Sequence, residues 1–333
     1  MREPAFWSRP PGLAAALLSP LAAIYGAVAA RRMAQPGRGA GIPVVCVGNL
    51  TVGGAGKTPT AIAVAELLIA AGARMSFLTR GYGGRLPGPV TVDPGQHRAA
   101  DVGDEPLLLA RLAPTVVARD RVAGAQAARQ AGADAIVMDD GLQNPALTKD
   151  LSIVVIDGRR GTGNGLVIPA GPLRAPIEAQ LDRADALLVI GEPVDVGSVL
   201  VQARAQARRL PVFHGRLEPD MQVLTALRSS PLLAFAGIGD PAKFFATLEQ
   251  AGVEVRERQA FPDHHRYSRS EGEQLVARAA RDGLRLVTTE KDWMRIAGER
   301  DHQALEAAAL ALPVRLVVTE ADAFRDLVLA RAG

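Results

Sequence analysis

The sequence predicts an α/β protein: a parallel sheet with helices on both faces, followed by a second, smaller α/β domain. Three observations predict it. From residue 42 onward, short runs rich in β-branched residues alternate with helical stretches: "IPVVCVGN", "RMSFLTR", "PTVVAR", "AIVMDD", "LSIVVID" and "ALLVIG". These runs are continuously apolar rather than alternating, which suits strands buried on both faces. A glycine-rich turn, "GNLTVGGAGKTPT", joins the first run to a helical stretch. In sheets of this class ligands bind beyond the carboxyl ends of the strands, so chemistry is expected in the glycines and acids that follow the runs.

Size and composition agree. The 333 residues are ample for two domains, and 48% are apolar, enough for a sizeable core without crosslinks. Cys46 is the only cysteine, which excludes an intramolecular disulfide. The balance of 38 basic and 35 acidic residues leaves a net charge of +3, which fits anionic substrates or an anionic membrane surface. Aromatic residues are only 4%, and no aromatic-and-basic platform is present to stack bases, so no nucleic-acid partner is expected. No internal repeat stands out.

The first segment, 1–35, stands apart. Gly12 to Ala30 is a stretch of 19 residues without a charge, followed by Arg31 and Arg32. A cleaved signal peptide would use the "AVA" site, but the basic pair lies after it. A spanning helix needs about 20 strongly apolar residues; this run is mostly alanine and Pro20 interrupts it. A helix lying in the membrane interface needs only a moderate apolar face and flanking cations. A buried or interdomain helix is the plainer alternative. The flanks favour the membrane surface.

Residues 36–215 read as the main domain, a P-loop core. The turn comes after a strand and before a helix, where a phosphate-binding P-loop must sit. Thr51, Val52, Gly53, Gly54, Ala55, Gly56, Lys57 and Thr58 would form the nucleotide cradle. Its backbone N–H groups would point at phosphate oxygens, with the helix N-terminus behind them. Lys57 would reach the β- and γ-phosphates, and Thr58 would hold a metal ion. Thr51 replaces the leading glycine of the usual pattern, tolerable if its φ is ordinary. Val52 stands where dimerising partition ATPases carry a lysine, which argues against a switch ATPase. "AIVMDDG" ends in Asp139 and Asp140, a Walker B-like strand end whose carboxylates would bind metal. "VGDEPLLLA" places Asp104 and Glu105 before Pro106; the plain reading makes Asp104 a helix N-cap. Arg80, Tyr82 and Arg85 sit in a glycine-rich loop that suits a phosphate, or simply the surface.

Residues 216–310 form the predicted smaller domain. "FPDHHRY" holds Asp263, His264 and His265. No further ligands lie at zinc-like spacing, whereas an Asp–His unit could take a proton from a hydroxyl. "TTEKDW" reads as a helix start, with Thr289 and Asp292 as a capping box. Residues 311–333 would return as a strand, pairing near residue 213, and a last helix.

Together the stretches "VGNLTVGGAGKTPT", "LTRGYGG", "VGDEPLLLA", "ARDR", "VMDDGLQN", "IPAGPLRAP", "FPDHHRY" and "VTTEKDWMR" resemble the tetraacyldisaccharide 4'-kinases of lipid A biosynthesis. The resemblance implies a monotopic enzyme on the cytoplasmic face of the bacterial inner membrane. It implies transfer of the γ-phosphate of ATP, with Mg2+, to the 4'-hydroxyl of tetraacyldisaccharide 1-phosphate, an acylated disaccharide lipid, giving lipid IVA. It makes Asp104 and His264 a catalytic pair, and Thr58, Glu105, Asp139 and Asp140 the metal side. It makes Asn49, Arg80, Tyr82, Arg119, Gln143 and Arg174 candidates for substrate contact. Ala175 stands where many relatives have an acid. No obligate protein partner is implied. Because Asp104 and His264 fall in different predicted domains, the smaller one is expected to close over the site. A switch ATPase, and a soluble small-molecule kinase or ligase, are the competing readings.

Overall fold

The computed structural model describes residues 4–332. The chain runs Leu13–Met33 (α1), Val44–Asn49 (β1), Lys57–Ala70 (α2), Met75–Thr79 (β2), Val90–Thr91 (β3), Ala99–Val102 (α3), Asp104–Leu109 (α4) and Thr115–Val117 (β4). It continues through Arg121–Gln130 (α5), Ala135–Asp139 (β5), Leu151–Asp157 (β6), Ile177–Leu181 (α6), Ala186–Ile190 (β7), Val196–Ala207 (α7) and Val212–Pro219 (β8). Then come Met221–Leu227 (α8), Leu232–Ala236 (β9), Pro241–Gln250 (α9), Val255–Ala260 (β10), Arg269–Asp282 (α10), Arg285–Thr289 (β11) and Glu290–Ile296 (α11). Gln303–Ala308 (α12), Ala309–Leu312 (β12), Val314–Val318 (β13) and Ala321–Ala332 (α13) complete it.

Nine strands form one sheet in the order β13-β8-β7-β6-β1-β5-β2-β4-β3. The strands from β8 to β4 are parallel; only β13 and β3, at the two edges, run antiparallel. Every residue of β1, β2, β5, β6 and β7 is buried, as their unbroken apolar runs require. Alternate side chains face opposite layers. Val45, Val47, Phe77, Val137, Ile153 and Val155 meet Val64 and Leu68 of α2 and Phe324 and Val328 of α13. Val44, Cys46, Ile136 and Met138 meet Ala125 and Ala128 of α5. Val154, Ile156, Leu187 and Val189 meet Leu181, Val201 and Ala205 from α6 and α7.

The chain leaves β1 toward β2 on one side and resumes at β6 on the other, so the connection order reverses beside β1. Such a reversal opens a crevice at the strands' carboxyl ends. The glycine-rich turn after β1 and the acids ending β5 both lie there.

A second sheet, β10-β9-β11-β12, is parallel throughout. Its α11 does not stay within its own unit. Met294 and Trp293 pack against Val102, Leu107 and Leu108 beside the first sheet. After β12 the chain returns and β13 pairs with β8, Val318 opposite Gly215.

Pro20 does not interrupt α1, contrary to the sequence expectation. Proline lacks the N–H that would bond the Ala16 carbonyl, so one rung of the ladder is lost, yet the helix continues on both sides of it over Leu13–Met33. Ala15, Ala22, Gly26 and Met33 are buried. A Cβ on Gly26 would lie 3.5 Å from Pro176, so small residues let α1 sit close to the body. Leu13, Leu17, Leu21, Ile24 and Val28 are exposed on the opposite side, at the helical repeat.

Candidate active site

The glycine-rich turn is braced from outside before it meets any ligand. Arg174 donates from Nε to the Thr51 carbonyl at 2.9 Å, and the Val52 N–H donates to Pro172 O at 2.9 Å. The "GPLR" stretch therefore holds the first part of the cradle. Thr51 is not among the residues with positive φ, so the missing leading glycine costs no strain there. Gly53 and Gly56 do have left-handed backbones, with φ of 98° and 89°. A Cβ on Gly56 would also fall 2.5 Å from Ile190 Cδ1. Lys57 and Thr58 then open α2, with Pro59 in its first turn.

The two acids at the end of β5 have separate partners. Asp139 is fully buried, and one of its oxygens takes the Thr58 hydroxyl at 3.3 Å. Its other oxygen, Oδ1, is buried without a partner. Burial, then the charge of Glu105, push this carboxyl up to about 7 in spite of Lys57. Asp140 adopts φ 58°, which turns its side chain toward cations: Arg174 Nη1 at 2.6 Å and Lys57 Nζ at 4.0 Å. Burial raises its pKa, but Lys57 and Arg174 outweigh burial and hold it at about 2.

Asp104 begins α4, but it is not an N-cap. Gly103 holds that position with φ 95°, a conformation only glycine takes easily, and separates α3 from α4. Asp104 is free to serve elsewhere. His264 Nδ1 lies 3.1 Å from Asp104 Oδ2. Arg295 of α11 reaches the same oxygen, Nε at 2.7 Å and Nη2 at 2.5 Å. Burial opposes ionisation of Asp104, yet the His264 hydrogen bond and the Arg295 charge hold its carboxyl far below the ordinary range. Burial also lowers the His264 pKa, but Asp104 reverses this and raises it overall. His264 itself sits at φ 54°, and Tyr82 packs against its ring at 5.0 Å between centroids.

A cleft of about 1030 Å³ joins these parts. Its lining includes the cradle, Asp140, Glu105, His264 and Lys291, together with Tyr25, Val28 and Arg32 of α1. Arg80, Tyr82, Arg119, Gln143 and Arg174 also line it. Asn49 is the exception among the expected substrate contacts. It is fully buried at the end of β1, and its Nδ2 donates to Gly53 O at 3.2 Å, so it shapes the cradle from beneath. Gln143 combines wall and brace, donating to Asn49 O at 2.7 Å. Glu105, expected on the metal side, is paired with Lys291 at 2.5 Å.

The donor set fits a small hard cation that keeps most of its water. Such an ion needs one or two protein oxygens beside substrate phosphates, and Thr58 with the unpartnered Asp139 oxygen supplies them. Among the described residues no cluster of three or more His, Cys, Asp or Glu side chains forms a closed metal cage.

Sequence reasoning missed Arg295, Lys291 and Lys243, which pairs with Asp157 at 2.7 Å between the two sheets. A signal for the first two was present. Lys291 and Arg295 are four apart just after a helix start, hence on one face.

The family description "Tetraacyldisaccharide-1-P 4'-kinase" matches residues 14–332. The chain belongs to that family. It is 55% identical to the tetraacyldisaccharide 4'-kinase of Rhodopseudomonas palustris (strain BisB18), covering 99% of this chain and 95% of the relative. It is 58% identical to that of Methylobacterium sp. (strain 4-46), over 97% of this chain and 95% of the relative. The crystal structure of LpxK from Aquifex aeolicus in complex with ATP superposes with a TM-score of 0.73 at 25% identity, covering 96% of this chain and 99% of that one. The family thus supports the kinase-type sheet and cradle, while the roles of single residues rest on the geometry above.

Proposed function

We propose that this chain transfers the γ-phosphate of ATP to the 4'-hydroxyl of tetraacyldisaccharide 1-phosphate, forming lipid IVA, with His264 as proton acceptor. The observation that carries the residue assignment is the Asp104–His264 hydrogen bond, at 3.1 Å, on the wall of the cleft that contains the glycine-rich cradle.

The cradle N–H groups and the start of α2 grip the β- and γ-phosphates, and Lys57 neutralises their charge. Asp140 aims Lys57, and Arg174 holds both Asp140 and the cradle backbone. Thr58 and Asp139 would hold Mg2+, which supplies charge neutralisation on the phosphates. Glu105 stands nearby as a further carboxylate, shared with Lys291. On the acceptor side, Asp104 accepts from the His264 Nδ1–H, which leaves the lone pair on Nε2. That nitrogen takes the proton of the 4'-hydroxyl as its oxygen bonds to the γ-phosphorus and the bond to ADP breaks. Arg80, Tyr82 and Arg119 line the acceptor's approach.

An acyl-chain substrate stays in the bilayer, and the part of the cleft lined by α1 is where it would enter. The exposed apolar stripe of α1, with Arg31 and Arg32 at its end, supports a monotopic position on the membrane surface. A position on the cytoplasmic side, where ATP is supplied, is part of the same proposal.

The test is mass spectrometry of a reaction with pure protein, Mg-ATP and tetraacyldisaccharide 1-phosphate in mixed micelles. A product heavier by one phosphoryl group is expected, lost in Lys57→Ala. His264→Ala and Asp104→Ala are expected to lower kcat by about 10²-fold or more with ATP binding retained. Wild-type kcat in both variants would overturn the acceptor-side assignment.

A further inference from the structure

Arg295 lies on α11, beyond the second sheet's β11, and is buried with only 5% of its side chain exposed. A buried guanidinium is costly unless its charge is met by a carboxylate and its donors by nearby acceptors. Here Nε donates to Asp104 Oδ2 at 2.7 Å, the oxygen that also faces His264 Nδ1, and Nη2 lies 2.5 Å from the same oxygen as an ion-pair contact without a hydrogen bond of its own. The third side of the fork, Nη1, donates to Gly237 O at 2.9 Å and to Asp292 Oδ1 at 2.8 Å. Gly237 O also accepts the backbone N–H of His264 at 2.9 Å. One guanidinium therefore reaches the carboxylate of one member of the pair and the backbone anchor of the other.

The anchor behind it is rigid. Asp292 is fully buried, takes the Gly237 N–H at 2.9 Å and the Tyr267 hydroxyl at 2.6 Å, and its second oxygen takes the Thr289 hydroxyl at 2.6 Å. Thr289 caps the helix that carries Arg295. The Asp104 side has its own fixture, since Oδ1 accepts the Glu105 N–H at 3.0 Å. Asp104 and Asp292 would be two unpaired negative charges in a dry site without the cation between them. With it, one charge is balanced and the other remains to face an imidazolium.

We propose that Arg295 is a positioning residue for phosphoryl transfer: it locks the Asp104 carboxylate and the His264 backbone into one frame across the two sheets, with Asp292 as its anchor. It touches neither nucleotide nor acceptor and acts through Asp104. The Arg295 fork, rather than charge alone, is required, because its planar group spreads donors over separate nitrogens, Nε toward Asp104 and Nη1 toward Asp292 and Gly237 O, a span that the single nitrogen of lysine lacks. This inference rests on the assignment of Asp104 and His264 as the acceptor-side pair.

A double-mutant cycle in full-length protein tests it. Arg295→Met is expected to lower kcat by about 30-fold or more, with the KM for Mg-ATP changed less than about threefold. Arg295→Lys is expected to recover only part of the loss. In an Asp104→Asn background, Arg295→Met is expected to cost less than about threefold more, because its effect passes through a carboxylate no longer present. Equal losses in both backgrounds, or a loss confined to KM for ATP, would overturn the inference. Should Arg295→Met not fold, Arg295→Lys and Asp292→Asn enter the same cycle, with additivity again deciding against it. If Asp104→Asn alone keeps wild-type kcat, the pair assignment falls first. If Asp104→Asn is impaired and the cycle is additive, only the role of Arg295 falls.

Discussion

Replacing Leu13, Leu17 and Leu21 of α1 by serine should detach the protein from lipid without disturbing its fold. These side chains are 85%, 80% and 58% exposed, and the helix is held to the body by a different face, Ala15, Ala22 and Gly26. Together the three leucines expose roughly two full leucine side chains of apolar surface. Burying one such side chain is worth about 1.5–3 kcal/mol, so inserting the stripe into the acyl boundary contributes about 4 kcal/mol. That corresponds to a partition coefficient about 10³-fold lower in the triple variant. Sedimentation with vesicles of phosphatidylethanolamine and phosphatidylglycerol measures it directly. The residual binding should be salt-sensitive, because Arg31 and Arg32 remain. Partition within about threefold of wild type, with an unchanged melting temperature, would refute the argument: the exposed stripe would then not be the membrane face.

Other expectations follow from burial and charge. The Asp139 carboxyl, raised to about 7, keeps its proton in the folded state longer than in the unfolded chain. Stability without divalent cations should therefore fall as pH rises from about 4 to 7, by no more than ~4 kcal/mol from this group. Asp139→Asn should melt higher than wild type at pH 8 and show little gain at pH 4; an equal gain at both would contradict this. Asp140, held down at about 2, works the other way, and its contribution should disappear only as pH drops from about 4 toward 2. Burial pushes the fully enclosed Cys46 thiol up to about 11. It should resist maleimide labelling at pH 8 in the native protein and react at once in denaturant. Rapid native labelling, followed by mass spectrometry, would show that β1 opens locally.

Composition and local pattern already contained the main sheet. Short unbroken apolar runs rich in β-branched residues suit strands covered on both faces, and each of the six runs noted from residue 42 is a strand. The glycine-rich turn between β1 and α2 was legible for a similar reason, since strand, glycines, Lys57, Thr58 and helix are contiguous and their geometry is local. The pairing of β13 with β8 was legible from a strand-like end with no nearby partner. Asp104 illustrates the opposite case. Its local pattern says N-cap, and only the left-handed Gly103 beside it releases the side chain.

The sequence by itself determined the class of fold, the glycine-rich turn and the apolar helix, because each depends on residues within about one turn or one strand of each other. It could not show that His264 meets Asp104 from 160 positions away, or that Arg295 joins them from 191 positions away. Nor could it separate Asp139 from its neighbour: the backbone turn at Asp140 gives one carboxylate to Lys57 and Arg174 and leaves the other beneath Thr58. Those outcomes belong to the tertiary structure. They depend on α11 crossing from the second sheet to pack on α4, and a buried charge acquires its pKa and its partner only when the whole chain has excluded the water around it.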